Sequence, residues 1–115
     1  MKLSDIKIIG VIGAGVMGPA IAEIMAIFGA SYDFEIFLYD ISKEALKNAE
    51  ERMKVDFAKV ESVGIFSSED LEVARKRITL TTEKTVLKNA QLIIEAIPEI
   101  VSLKQEIFQV MRHRT

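Results

Sequence analysis

The chain has no cysteine and no tryptophan, and its 115 residues include one histidine and two prolines. Without cysteine there is no disulfide, no zinc–thiolate site and no thiol nucleophile. The single histidine, His113, lies in the C-terminal stretch MRHRT, where no neighbouring carboxylate could orient it, and it reads as part of a solvated terminus. A basic excess is also missing. Fifteen Lys and Arg against 17 Asp and Glu give a net charge of −2 and a pI near 5.5. That balance argues against nucleic acid as a partner, since such domains carry clustered positive charge, and the best basic cluster is only Arg75-Lys76-Arg77. No apolar run approaches the roughly 20 residues that span a bilayer. The N-terminus MKLSDIKIIG has no long apolar segment or cleavage pattern of a secretory leader. A cytoplasmic protein with no membrane partner and no metal site is the expectation.

What remains is half apolar and 28% charged, enough for one domain with a modest core over residues 1–115. Lys7 to Ile12, KIIGVI, reads as a buried parallel strand that ends at a glycine-rich turn. From Val16 the period becomes helical, with Ile21, Ile24, Met25 and Phe28 on one stripe and Gly29 as the stop. Pro19 fits the first turn, where its missing N–H has no intrahelical partner to lose. Glu35 to Asp40, EIFLYD, is a second strand, and Ser42 caps a long charged helix through Ala45, Leu46, Ala49 and Met53. Lys43 to about Arg77 forms a helical pair broken near Val63-Gly64-Ile65-Phe66 and restarted at Ser67, with Asp70 completing an imperfect capping box. Arg77 to Leu80 is a third strand. Gln91 to Ile97, QLIIEAI, is a fourth, closed by Pro98, and Ser102 with Gln105 caps a last helix carrying Leu103, Ile107, Phe108 and Met111.

Alternating strands and helices predict a Rossmann-type doubly wound α/β fold: a parallel sheet covered on both faces, with the helical pair inserted after the second strand. A full six-stranded sheet of this type needs strands beyond Ser102. Leu92, Ile93 and Ile94 would otherwise lie on a bare sheet edge. The expectation is that the domain is truncated before its last strands.

The turn Gly13-Ala14-Gly15-Val16-Met17-Gly18 has the spacing GxGxxG. By itself the pattern also arises in turns that bind nothing. As a dinucleotide site, Gly13 permits a sharp strand exit, Gly15 lets the backbone approach a pyrophosphate, and Gly18 lets helix and strand pack closely. The helix N-terminus then offers unpaired N–H groups and about half a positive charge. Asp40, 22 residues past Gly18 at the end of the second strand, suits a carboxylate that accepts from the adenosine ribose hydroxyls and repels a 2′-phosphate. That favours NAD over NADP, although Lys43 nearby is a cation that a phosphate would attract. The alternative for Asp40 is a helix N-terminal carboxylate beside Ser42.

VIGAGVMGPAIAE, FLYDIS, the helical pair and QLIIEAIPE with LKQEIF together resemble the NAD-binding domain of the L-3-hydroxyacyl-CoA dehydrogenases, including their 3-hydroxybutyryl-CoA relatives. The likeness extends over essentially the whole chain. It implies that Gly13, Ala14, Gly15, Val16, Met17 and Gly18 hold the cofactor and that Asp40 holds its ribose. It also implies that Ile97, Pro98 and Glu99 line the nicotinamide side, with Lys104 in the same region. Read from the residues alone, Ile97 and Pro98 equally end a strand, and Glu99 with Lys104 equally form a solvated pair. The family uses the helical pair to contact acyl-CoA, which implies a role for Lys54 or Lys59, with Lys59 the candidate substrate residue; Asp56 and Val63 depart from the family's pattern at the corresponding positions, and a solvated helix face is the competing reading. The resemblance further implies oxidation of a 3-hydroxyacyl-CoA with NAD in fatty acid or butanoate metabolism and a homodimeric full-length protein. The family's histidine and its orienting glutamate are expected beyond Thr115, so these residues alone should bind NAD and catalyse nothing. Two other readings stay open: a non-catalytic NAD(H)-sensing module, and a dehydrogenase for other 3-hydroxy acids.

Overall fold

A computed structural model describes residues 5–29 and 32–96. Four parallel strands, β1 (Ile8–Ile12), β2 (Glu35–Tyr39), β3 (Ile78–Thr81) and β4 (Leu92–Glu95), form one sheet in the order β3-β2-β1-β4. The helices are α1 (Met17–Phe28), α2 (Lys43–Val63) and α3 (Ser68–Lys76), and a 3₁₀ helix covers Lys84–Asn89. β1 is central, with Ile9 opposite Ile36 on one side and Val11 opposite Ile94 on the other. The chain therefore reverses its direction of winding at β1, between β2 and β4.

Side chains alternate across this sheet as a strand period of two requires. Ile9, Val11, Ile36 and Leu38 join the large cluster under α1, α2 and α3, whereas Ile12 and Tyr39 join Leu87 of the 3₁₀ helix on the opposite face. That 3₁₀ helix has no apolar period in the sequence to mark it. Its Leu87 fills the space left by Gly10, where a Cβ would come within 2.9 Å of Leu87 Cδ2. The helix expected from Ser102, like the closing Pro98, lies outside the described residues.

The two anticipated caps of the helical pair are present. The Ser42 hydroxyl accepts from Ala45 N–H, and the Ser67 hydroxyl accepts from Asp70 N–H, both at 3.1 Å. α2 closes at Gly64, where the chain turns before α3.

The expected face of α1 is buried only in part: Ile21 and Met25 pack, partly buried, against the core. Ile24 and Phe28 are 55% and 69% exposed, while Gly18, Pro19, Ala22, Glu23 and Ala26 are buried. The reason is proximity. A Cβ on Gly18 would lie 1.6 Å from the Gly13 carbonyl oxygen and 3.3 Å from Leu38 Cδ1. A helix brought this near the sheet accepts alanine, not isoleucine, on its inner face. Ile21, Met25 and Ile27 pack at its flanks, while Ile24 and Phe28 face outward, where Phe28 meets Phe66 edge to face with centroids 5.8 Å apart.

Gly18→Ala therefore overpacks against backbone that cannot swing aside. A loss of about 1–3 kcal/mol or outright misfolding is expected, read as a lower midpoint in thermal or urea melts. Gly15→Ala, with nothing within 4 Å of its Cβ position, should stay within about 1 kcal/mol of wild type. Equal melts for Gly18→Ala and wild type would contradict this packing argument.

Candidate functional site

The carboxyl ends of β1 and β2 meet the start of α1, and the backbone there is unusual in two respects. Gly13 has φ of 105°, a conformation that disfavours any side chain, and its N–H donates to the Tyr39 carbonyl at 2.8 Å. This closes the turn onto the neighbouring strand. The N-terminus of α1 has neither a side-chain cap nor an acidic residue in its first turn. Its first N–H groups consequently have no side-chain cap and no acidic partner within the helix. Val16 and Met17, beside those groups, are 75% and 64% exposed. The Cβ position of Gly15 opens on empty space.

Asp40 reaches across from the end of β2. Its Oδ2 accepts from Ala14 N–H and its Oδ1 from Ser42 N–H, each at 2.8 Å. The alternative reading of this residue, a carboxylate at the helix start beside Ser42, is present in the bond from Ser42 N–H, and the same side chain also holds the glycine turn through Ala14. A carboxylate offers about four lone-pair sites, so two remain for hydroxyl donors. Burial, with the charge of Asp40 beside it, raises the phenol of Tyr39 above its ordinary value of 10. Ile41, the next residue after Asp40, is 72% exposed and gives this corner an apolar surface.

Three charged groups that sequence reasoning did not assign to the turn sit between α1 and α2. Arg52 of α2 donates from Nη1 to the Gly15 carbonyl at 3.0 Å. Glu23 of α1 is only 9% exposed and hydrogen-bonds Asp56, one turn beyond Arg52. Burial pushes the Glu23 carboxyl up from 4.5 to about 8; the hydrogen bond and repulsion from Asp56 add to that, and the charge of Arg52 works against it. The signal for Glu23 was present in the sequence. It falls with Pro19, Ala22 and Ala26 on one i, i+3, i+4, i+7 stripe, a glutamate among small apolar residues. Arg52 carried no such mark, because its partner is a backbone oxygen 37 residues away.

The remaining predicted positions separate into two groups. Lys54 pairs with Glu51 at 3.6 Å on the exposed face of α2, and Lys59 is exposed on the same helix. Ile97, Pro98, Glu99, Lys104 and His113 lie outside the described residues. Among the described residues there is no cluster of three or more groups able to hold a metal ion, and no helix long and apolar enough to cross a membrane.

A family profile described as 3-hydroxyacyl-CoA dehydrogenase, NAD binding domain, matches residues 8–115. The chain is 34% identical over 104 residues to the 3-hydroxyadipyl-CoA dehydrogenase of Escherichia coli K12, a match covering 90% of this chain and 21% of that protein. It is 32% identical over 107 residues to a 3-hydroxybutyryl-CoA dehydrogenase of Mycobacterium tuberculosis, covering 92% of this chain and 36% of the relative. The crystal structure of a 3-hydroxybutyryl-CoA dehydrogenase from E. coli K12 superposes with a TM-score of 0.84 and 31% identity over 95% of this chain and 22% of that one. This chain thus spans roughly a fifth to a third of the length of these relatives.

The titration of Glu23 gives a direct test. In the folded chain it stays neutral up to about pH 8, whereas it ionises near 4.5 in the unfolded chain. Its contribution to stability is thus fully present below about pH 4.5, declines as the pH rises toward 8, and is level above that. Glu23→Gln keeps a neutral side chain of the same shape. Relative to wild type, the variant should gain stability between pH 5 and 8.5 in melting experiments, and parallel profiles for the two proteins would contradict the assignment.

Proposed function

Because the chain belongs to the 3-hydroxyacyl-CoA dehydrogenase family, whose NAD-binding domain it matches, we propose that it is the cofactor-holding part of an enzyme oxidising a 3-hydroxyacyl-CoA to the 3-oxo compound. The observation that carries this reading is Asp40, fixed on Ala14 at the mouth of an uncapped helix N-terminus. The residues present fit NAD. The open Cβ position at Gly15 leaves room for a pyrophosphate against the backbone, and the first N–H groups of α1 supply donors for it. The unused lone pairs of Asp40 accept ribose hydroxyls, and its charge opposes a 2′-phosphate.

NAD, when bound, supplies the acceptor for the hydride that leaves the hydroxyl-bearing carbon. The part played by these residues is binding and orientation. Asp40 and the turn hold the adenosine and phosphate portions, and Val16, Met17 and Ile41 give the site exposed apolar surface. Ile97, Pro98, Glu99 and Lys104 are proposed for the nicotinamide side on the strength of the motif alone. Lys59 is proposed as the cation on α2 that meets the phosphates of an acyl-CoA. The proton-transferring histidine and its glutamate are proposed to belong to a part of the parent enzyme outside these 115 residues, and the relatives' names favour fatty acid or related acyl-CoA metabolism.

Calorimetric titration tests the assignment. The wild-type chain should bind NAD and prefer it to NADP by tenfold or more. Hydrogen bonds to a charged group contribute about 1.5–3 kcal/mol, so Asp40→Ala should weaken NAD by about tenfold or more and narrow the preference over NADP. Unchanged NAD affinity in Asp40→Ala would remove the ribose assignment. Assayed with NADH and acetoacetyl-CoA, the 115-residue chain should show only background oxidation, and steady turnover would contradict the division of labour proposed here.

A further inference from the structure

The peptide linking Gly15 to Val16 is held from one side by a residue that lies outside the glycine fingerprint. Arg52 Nη1 donates to the Gly15 carbonyl at 3.0 Å. In a trans peptide the carbonyl and the following N–H point in opposite directions, and no cis bond is present among the described residues. A guanidinium fixed on the Gly15 oxygen therefore sets where the Val16 N–H points, and Val16 is the N-cap of the uncapped α1. A positive charge on the oxygen also withdraws electron density along the amide, which makes that N–H a stronger donor.

Arg52 is itself constrained. Its charge acts on Glu23, which hydrogen-bonds Asp56, and Asp56 is the i+4 neighbour of Arg52 on α2. The guanidinium thus bonds the turn while its charge is felt at Glu23. Arg52 is also one residue before Met53, which is buried in the core with Phe57 and Ala49, so the backbone that carries it is anchored. A planar group with five N–H donors can bond a carbonyl and still face a carboxylate, which the ammonium of lysine does less well.

We propose that Arg52 is a positioning residue of the dinucleotide site, orienting and polarising the Gly15–Val16 peptide so that its N–H meets the pyrophosphate of the cofactor. This rests on the cofactor reading given above. The ligand chemistry involved is a diphosphate ester, and the adenosine portion lies outside the influence of Arg52.

The test is binding of NAD, ADP-ribose and adenosine to the wild-type chain and to Arg52→Ala and Arg52→Lys, followed by calorimetry and by amide NMR. Arg52→Ala should weaken NAD and ADP-ribose by about three- to tenfold, leave adenosine within twofold, and move the Val16 amide resonance in the ligand-free protein. Arg52→Lys should recover part of the loss. Equal losses for all three ligands would reduce Arg52 to a structural contact and overturn the proposal, as would unchanged affinities. Wild-type protein that binds neither NAD nor ADP-ribose would overturn the cofactor reading and this inference together. Wild-type binding with an unaltered Arg52→Ala profile would overturn only the role of Arg52.

Discussion

A methyl group on Gly18 would lie 1.6 Å from the Gly13 carbonyl oxygen, so α1 approaches the end of β1 as nearly as its backbone permits. Other features follow from that approach. The inner face of α1 has to be small, which selects Ala22 and Ala26 and turns Ile24 and Phe28 outward. The N-terminus of α1 is brought level with the strand ends, beside the carbonyl of Tyr39 and the carboxylate of Asp40. Separating helix and strand by the width of a methyl group would loosen the turn that joins them.

Asp40 links this corner to the helical pair. Through Ala14 it steadies the turn, and through Ser42 it steadies the start of α2. α2 in turn reaches back with Arg52 to the Gly15 carbonyl. The turn is thus gripped by β2 through a carboxylate and by α2 through a guanidinium. The N–H groups at the head of α1 are left without a side-chain partner. A site that binds an anionic ligand through backbone donors depends on such donors being aimed beforehand, because ordering them on binding would cost affinity.

Much of this was legible in the sequence because it is written locally. Strand and helix periods, the glycine spacing, Ser42 and Ser67 as caps, and Asp40 at the end of EIFLYD each depend on residues within a few positions of one another. Periodicity places Ile21 and Met25 against the core but not the exposed Ile24 and Phe28, because it weighs the size of apolar side chains, whereas the distance between helix and sheet decides which can fit. The 3₁₀ helix at Lys84–Asn89 has no apolar period to announce it, and its Leu87 is placed by a gap at Gly10 on another element. Arg52, Glu23 and Asp56 meet only when α1 and α2 pack together. The stripe marks Glu23 as buried, but its pairing with Asp56 and the bond from Arg52 to Gly15, 37 residues away, are contacts that no local pattern encodes.

We propose that the turn at Gly13–Gly18 and the carboxylate of Asp40 form a single NAD site. The most direct measurement is an amide NMR titration of the 115-residue chain with NAD. Saturable shifts concentrated at residues 13–18 and 39–42 are expected, with the Ala14 amide, bonded to Asp40 in the free chain, among the most affected. Shifts confined to other surfaces, or no saturable shifts at all, would contradict it.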